Sequence, residues 1–230
     1  MQQKLFPLVC CFLGFALAGE TASATVSILR PGTYHEGEVS VFEPSGSWLG
    51  ILKSGDGKFS AKQVTVKMTK VKDQVVGDED GKTSAVEVTS EADVEFLLRG
   101  FAMPANGFPT VELKRESLKP GESMEFVLGE KHAKLSATGL LKKQGDQDII
   151  TDYRWVYEVD GKSQLIAETK GFDDREFKVL WVGDLNNDGL PDVIADTSDH
   201  YNQSQIELFV SQKMGKEPLK SAATLTSVGC

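Results

Sequence analysis

Along most of this chain the apolar positions recur at every second residue. In residues 62–72, "KQVTVKMTKVK", Val64, Val66, Met68 and Val71 are set among lysines and threonines at a spacing close to two. "SAVEVTS", "VEFLLRGF", "MEFVLG" and "KLSATGLL" continue in the same manner. Successive side chains of a strand point to opposite faces, so this period belongs to strands with one buried face. In "YRWVYEVDGKSQLIAET" two β-rich runs meet at Asp160 and Gly161. Asp-Gly suits a type I′ hairpin turn, whose two central residues both need positive φ. "KVLWVGD", "DVIAD" and "QIELFVSQ" supply three more strands, and "SAATLTSVG" a last one. No long stretch keeps a helical period, and Pro and Gly punctuate at strand-like intervals. The pattern predicts a mostly β protein with antiparallel sheets, sandwich-like or partial propeller-like.

Turn-rich breaks fall at "AMPANGFP" (102–109) and "SLKPGES" (117–123). A third, "KKQGDQD" (142–148), either separates an N-terminal β region (25–142) from a C-terminal one (143–230) or is only a hairpin tip. In "RWVYEV", Trp155 and Tyr157 share one face of a strand, which places them in a core.

The first residues change the picture of where the protein works. One lysine, Lys4, precedes an apolar run from Leu5 to Ala18, and Ala22-Ser23-Ala24 follows. A basic start, a short apolar stretch and an A-x-A site predict a signal peptide over 1–24, cleaved after Ala24. The run is too short for a membrane span, which needs about 20 apolar residues, and no later segment is apolar enough. The expectation is a secreted or periplasmic protein. Cys10 and Cys11 leave with the leader, so the exported chain keeps only Cys230 and has no internal disulfide. A lone terminal thiol can join two chains in a disulfide-linked dimer. The net charge of −9 argues against nucleic acid or an anionic membrane as partner.

The candidate chemistry lies in "VGDLNNDGLPDVIAD", residues 182–196. Counted from Asp184, oxygen-bearing side chains fall at positions one (Asp184), three (Asn186), five (Asp188) and nine (Asp192). Gly189 at position six permits a sharp turn, and Leu190 at seven offers its carbonyl while its side chain packs. Calcium takes six to eight hard oxygen ligands, and a tight loop with alternating oxygens can wrap them round one centre. Carboxylates this close repel one another until a cation joins them. Zinc does not suit the loop, which holds no His or Cys. An EF-hand does not either, because position twelve is Ala195 and both flanks read as strands.

Asp184, Asn186, Asp188, Gly189, Leu190 and Asp192 in a strand–loop–strand setting resemble the calcium loops of FG-GAP repeats, as found in integrin α-chain propellers. The resemblance covers one such unit and implies a structural Ca2+ site. It does not carry a whole propeller, because the full motif occurs once. Alternating aspartates recur at "GDEDGK" and "GDQDIITD", but Val76 and Ile150 stand at ligand places there, so both read as turns. The C-terminal third also resembles secreted bacterial proteins with one such loop, then "DHYN" and a terminal Gly-Cys, which implies export from a Gram-negative cell.

Catalytic motifs are sparse. His35, His132 and His200 stand in no metal-protease pattern, and "GSWLG" (46–50) places Ser47 one residue early for a nucleophile elbow. Asp199, His200 and Tyr201 form the best remaining cluster, although neighbours on an extended chain point apart. Trp48 and Trp181, like Trp155, fit either a core or sugar stacking. The sequence therefore predicts a calcium-stabilised, non-enzymatic binding or structural module with a protein or glycan ligand. The alternative is an extracytoplasmic hydrolase with a structural calcium site, which requires a cleft with two convergent acids of separated pKa.

Overall fold

The computed structural model describes residues 25–39, 48–75, 84–103, 107–145 and 147–229. The expected leader, the "GDEDGK" turn, Ser47, Cys10, Cys11 and Cys230 lie outside the described residues. Among those described the protein is all β, with four antiparallel sheets and no helix.

Two sheets come from the N-terminal part. The first contains β1 (Ser27–Leu29), β3 (Trp48–Lys53), β4 (Phe59–Val64) and β7 (Phe96–Arg99) in the order β1-β7-β3-β4. The second contains β2 (Gly32–His35), β5 (Val66–Lys72) and β6 (Ser84–Ser90) in the order β2-β6-β5. The alternating run at 62–72 is thus divided. It ends β4, passes Thr65 and begins β5 in the other sheet, with Val64 and Val66 both buried at the corner.

The next two sheets are up-and-down meanders. β8 (Ser123–Leu128), β9 (Lys131–Gln144), β10 (Gln147–Val159) and β11 (Lys162–Gly171) form one. β12 (Lys178–Gly183), β13 (Asp192–Asp196), β14 (Gln203–Ser211) and β15 (Leu219–Val228) form the other. The stretch at 142–148 is the connection of an antiparallel pair, with Gln144 opposite Gln147. The Asp160-Gly161 turn joins Val159 to its partner Lys162, and both residues have positive φ (49° and 74°).

The sheets stack as layers, with β12–β15 between two cores. Val179, Val182, Val193, Ala195 and Phe209 pack with Trp155, Tyr157 and Phe126 of the β8–β11 sheet. Trp181, Ile194, Ile206 and Leu208 belong to the other core, with Trp48, Ile51, Phe96 and Leu97 of the N-terminal sheets. A register shift between Val179 and Trp181 sends these two side chains into opposite cores, although residues two apart normally share a face. Covered on both sides, β13 is buried at every position. A continuous apolar run such as Val193-Ile194-Ala195 is what such a strand requires. Each fully buried large side chain contributes about 1.5–3 kcal/mol relative to exposure.

The outer edge of β12 is covered too. Val111 N donates to Val182 O (2.9 Å), Val179 N to Glu116 O (2.7 Å) and Asp184 N to Pro109 O (3.1 Å). Pairing of this kind removes a free edge that would otherwise template aggregation. It also brings the Pro109 carbonyl against Gly183, where an added Cβ would lie 2.6 Å from that oxygen and overlap the Trp181 ring. Both neighbours are fixed, so Gly183→Ala is expected to cost about 1–3 kcal/mol of stability. Urea unfolding checks this: the midpoint should fall with the slope unchanged.

Candidate metal centre

β12 and β13 are joined by residues 184–191, so the oxygen-rich loop has a strand on each side. Its two leucines hold it down. Leu185 is buried in the N-terminal core and Leu190 in the β8–β11 core, so the loop is pinned to both faces of the central sheet. Asn187 (φ 56°) and Gly189 (φ 82°) take the left-handed conformation that the reversal needs, one tolerated by Asn and free to Gly.

The side-chain oxygens fold back onto the loop. Asp184 accepts from Asp188 N at 3.0 Å through Oδ1 and from Gly189 N at 2.8 Å through Oδ2. Asn186 Oδ1 accepts from Asp188 N at 3.1 Å. Asp188 Oδ1 accepts from Leu190 N at 2.8 Å, and its Oδ2 from Asn186 Nδ2 at 3.2 Å. Asp192 Oδ2 accepts from Leu185 N at 2.6 Å, which closes the loop across its base.

Two groups that the sequence reading missed complete the arrangement. Ser211, at the end of β14, donates its N–H and its hydroxyl to Asp192 Oδ1 at 2.7 and 2.6 Å. Its Oγ also lies 3.1 Å from Asp188 Oδ1 and 3.4 Å from the Leu190 carbonyl. From the other sheet, Tyr157 donates its hydroxyl to Pro191 O at 3.0 Å. Ser211 is 19 residues from Asp192 and Tyr157 is 34 from Pro191, so no local spacing signals either.

The electrostatics are unusual for a turn. Asp192 is fully buried and Asp184 nearly so. Among the described residues no Lys or Arg pairs with Asp184, Asp188 or Asp192. Burial therefore pushes the Asp192 carboxyl up to about 7, and neighbouring Asp184 adds to the rise, against the bonds from Ser211 and Leu185. Burial, followed by Asp192 and Asp188, also raises the Tyr157 hydroxyl. A buried carboxylate is costly without a compensating positive charge.

The donor chemistry fits calcium: three carboxylates, the Asn186 amide oxygen and the Leu190 carbonyl are all hard oxygen ligands. Convergence is a separate matter. Among the described residues no three His, Cys, Asp or Glu side chains are gathered as a metal cluster. The carboxylates here face amide donors instead. Each has about four lone-pair sites, and the described bonds to Asp184 occupy two of them. The loop is pre-shaped by its own backbone, and its anionic groups retain acceptor capacity.

Asp199 and His200 engage different partners. Asp199 Oδ2 accepts from Thr169 Oγ1 at 2.6 Å, while His200 Nε2 lies 3.0 Å from Asp173 Oδ2 and its ring stacks on Tyr201. Trp48, Trp155 and Trp181 are all core residues. No family model, curated protein or solved structure matches this chain.

Asp192 sets a pH dependence whose sign is definite. Its folded pKa lies above the ordinary value of 3.8, so between the two the folded state binds more protons than the unfolded state. That contribution is present in full below about 4 and is lost as pH rises through about 7. His35, raised by its hydrogen bond to Asp73, acts in the same direction through the neutral range. In chelator, the unfolding free energy should fall between about pH 5 and 8. The slope should be shallower for Asp192→Asn, and denaturant titrations at several pH values check both.

Proposed function

We propose that the protein is an exported, calcium-stabilised β module that binds a ligand and does not transform one. The observation that carries the calcium part is a buried carboxylate, Asp192, pushed up to about 7 inside a loop of oxygen donors. Asp184, Asn186, Asp188 and Asp192 would hold the ion through side-chain oxygens, and Leu190 through its carbonyl. A bound Ca2+ supplies the double positive charge that the loop lacks. With it, Asp192 stays ionised at neutral pH and the loop stays closed between the two cores. The strand–loop–strand setting agrees with a structural FG-GAP-like site. The leader expected at 1–24 supports export. Among the described residues no helix is long and apolar enough to cross a membrane.

The hydrolase reading asks for two carboxyls of separated pKa in one cleft. A cavity of about 830 Å³ has Asp148 on its wall, which the Lys119 ammonium holds below the usual carboxylate range. The carboxyl that is pushed up, Asp192, is on the ion loop and not on that cavity's wall. The two are not placed as an acid–base pair, and this favours binding over hydrolysis.

Thermal unfolding in calcium and in chelator tests the metal. A tenfold excess of free ion over its dissociation constant stabilises by about 1.4 kcal/mol, so chelator should lower the midpoint by a few degrees. Asp184→Ala and Asp188→Ala should each largely remove the difference between the two conditions. An unchanged midpoint in the parent protein, with no ion retained on equilibrium dialysis, contradicts the proposal.

A further inference from the structure

The central strand β13 has a buried carboxylate at each end, Asp192 at the ion loop and Asp196 at the opposite end. Four residue steps at about 3.3 Å separate them by about 13 Å. Asp196 is not part of the loop. Its Oδ1 accepts from Ser198 N (3.0 Å) and Gln205 N (3.3 Å), and its Oδ2 from Ser204 Oγ (3.2 Å). Its remaining partner is the Arg175 guanidinium, which it grips through Nη2. Arg175 is thereby fixed on the wall of a cavity of about 830 Å³. Ligand pockets commonly span about 300–1,000 Å³.

We infer that this cavity, formed where β10, β12, β13 and the segment before β8 meet, binds a neutral oligosaccharide. The inference rests on reading the protein as a binding module and is independent of the calcium site. Its first support is charge. Three of the wall's cations have acidic partners: Arg175 with Asp196, Lys119 with Asp148 (2.8 Å), and Arg30 with Glu95 (3.0 Å). Lys178 is half-buried and lines the same cavity as Glu116, Asp174 and Glu176. Such a surface offers oriented donors and acceptors with no excess of positive charge, which disfavours an anionic ligand. Hydroxyl groups, each both donor and acceptor, match it.

A second support is the apolar strip of Ile149, Ile150, Phe172 and Leu180 on the wall. It suits the C–H face of a sugar ring. Third, the wall offers little free strand edge. β13 lies between β12 and β14, and the outer edge of β12 is covered by residues 109–116. β10 lacks a β11 partner over residues 147–150, because that pairing begins at Thr151, so an extended peptide would find at most that short edge for strand addition, its usual way of docking on a sheet.

Isothermal titration of the exported chain tests this with neutral hexasaccharides (cellohexaose, maltohexaose, laminarihexaose, chitohexaose), a hexagalacturonate and a lysine-rich peptide. At least one neutral sugar should bind with a dissociation constant below about 1 mM, and the anion should not. Lys178→Ala combined with Gln147→Ala should weaken that binding about tenfold or more and leave the thermal midpoint unchanged. The same double variant should keep the parent's response of the thermal midpoint to calcium, which separates failure of the cleft from failure of the ion site. Absence of binding by every neutral sugar overturns the inference. So does binding that the double variant leaves intact, or binding of the galacturonate or peptide alone.

Discussion

The rest of the structure depends on how this protein keeps a carboxylate inside itself. Asp192 is fully buried, between the two cores that sandwich the central sheet, and receives hydrogen bonds from Leu185 and Ser211. Those bonds fix its position, but as dipoles they do not neutralise its charge, and burial still drives it toward protonation near neutral pH. The adjoining loop gathers Asp184 and Asp188 without a basic partner among the described residues. A tight turn has no need of this, and the proposed Ca2+ would supply the missing positive charge.

The placement of the loop gives that charge a mechanical meaning. Leu185 and Leu190 anchor it in opposite cores, and Ser211 ties it to the far end of β14. Ordering the loop therefore orders the start of β13, the strand shared by both halves of the molecule. At the other end of β13, Asp196 spends its acceptor capacity on β14, the following loop and Arg175. One short strand carries a charge-bearing anchor at each end, one at the 184–191 loop and the other at the wall of the cleft.

Much of this was legible in the sequence, for physical reasons. Period-two alternation marked β6, β8, β9 and β10, because each has one covered face. The Asp160-Gly161 turn was legible because few residue pairs accept two consecutive positive φ values. The loop's flanks read correctly as strands, and Trp155 and Tyr157 fell in the core as their spacing implied. What stayed hidden was non-local. The run at 62–72 carries no mark of the change of sheet at Thr65. Nothing near Ser211 or Tyr157 points to a loop 19 or 34 residues away. The role of Asp196 was invisible too, since its partner Arg175 meets it only through tertiary packing. The amide-facing orientation of the loop carboxylates is likewise a property of three dimensions, absent from the spacing that drew attention to them.

The central claim is that these carboxylates are arranged to meet a divalent cation. Its most direct test is a crystal structure of the exported chain grown in millimolar calcium chloride. The account predicts one ion, about 2.3–2.6 Å from oxygens of Asp184, Asn186, Asp188, Leu190 and Asp192, with the loop backbone otherwise unchanged. Density showing no ion, with Asp184 and Asp188 still turned to the loop amides, would contradict it.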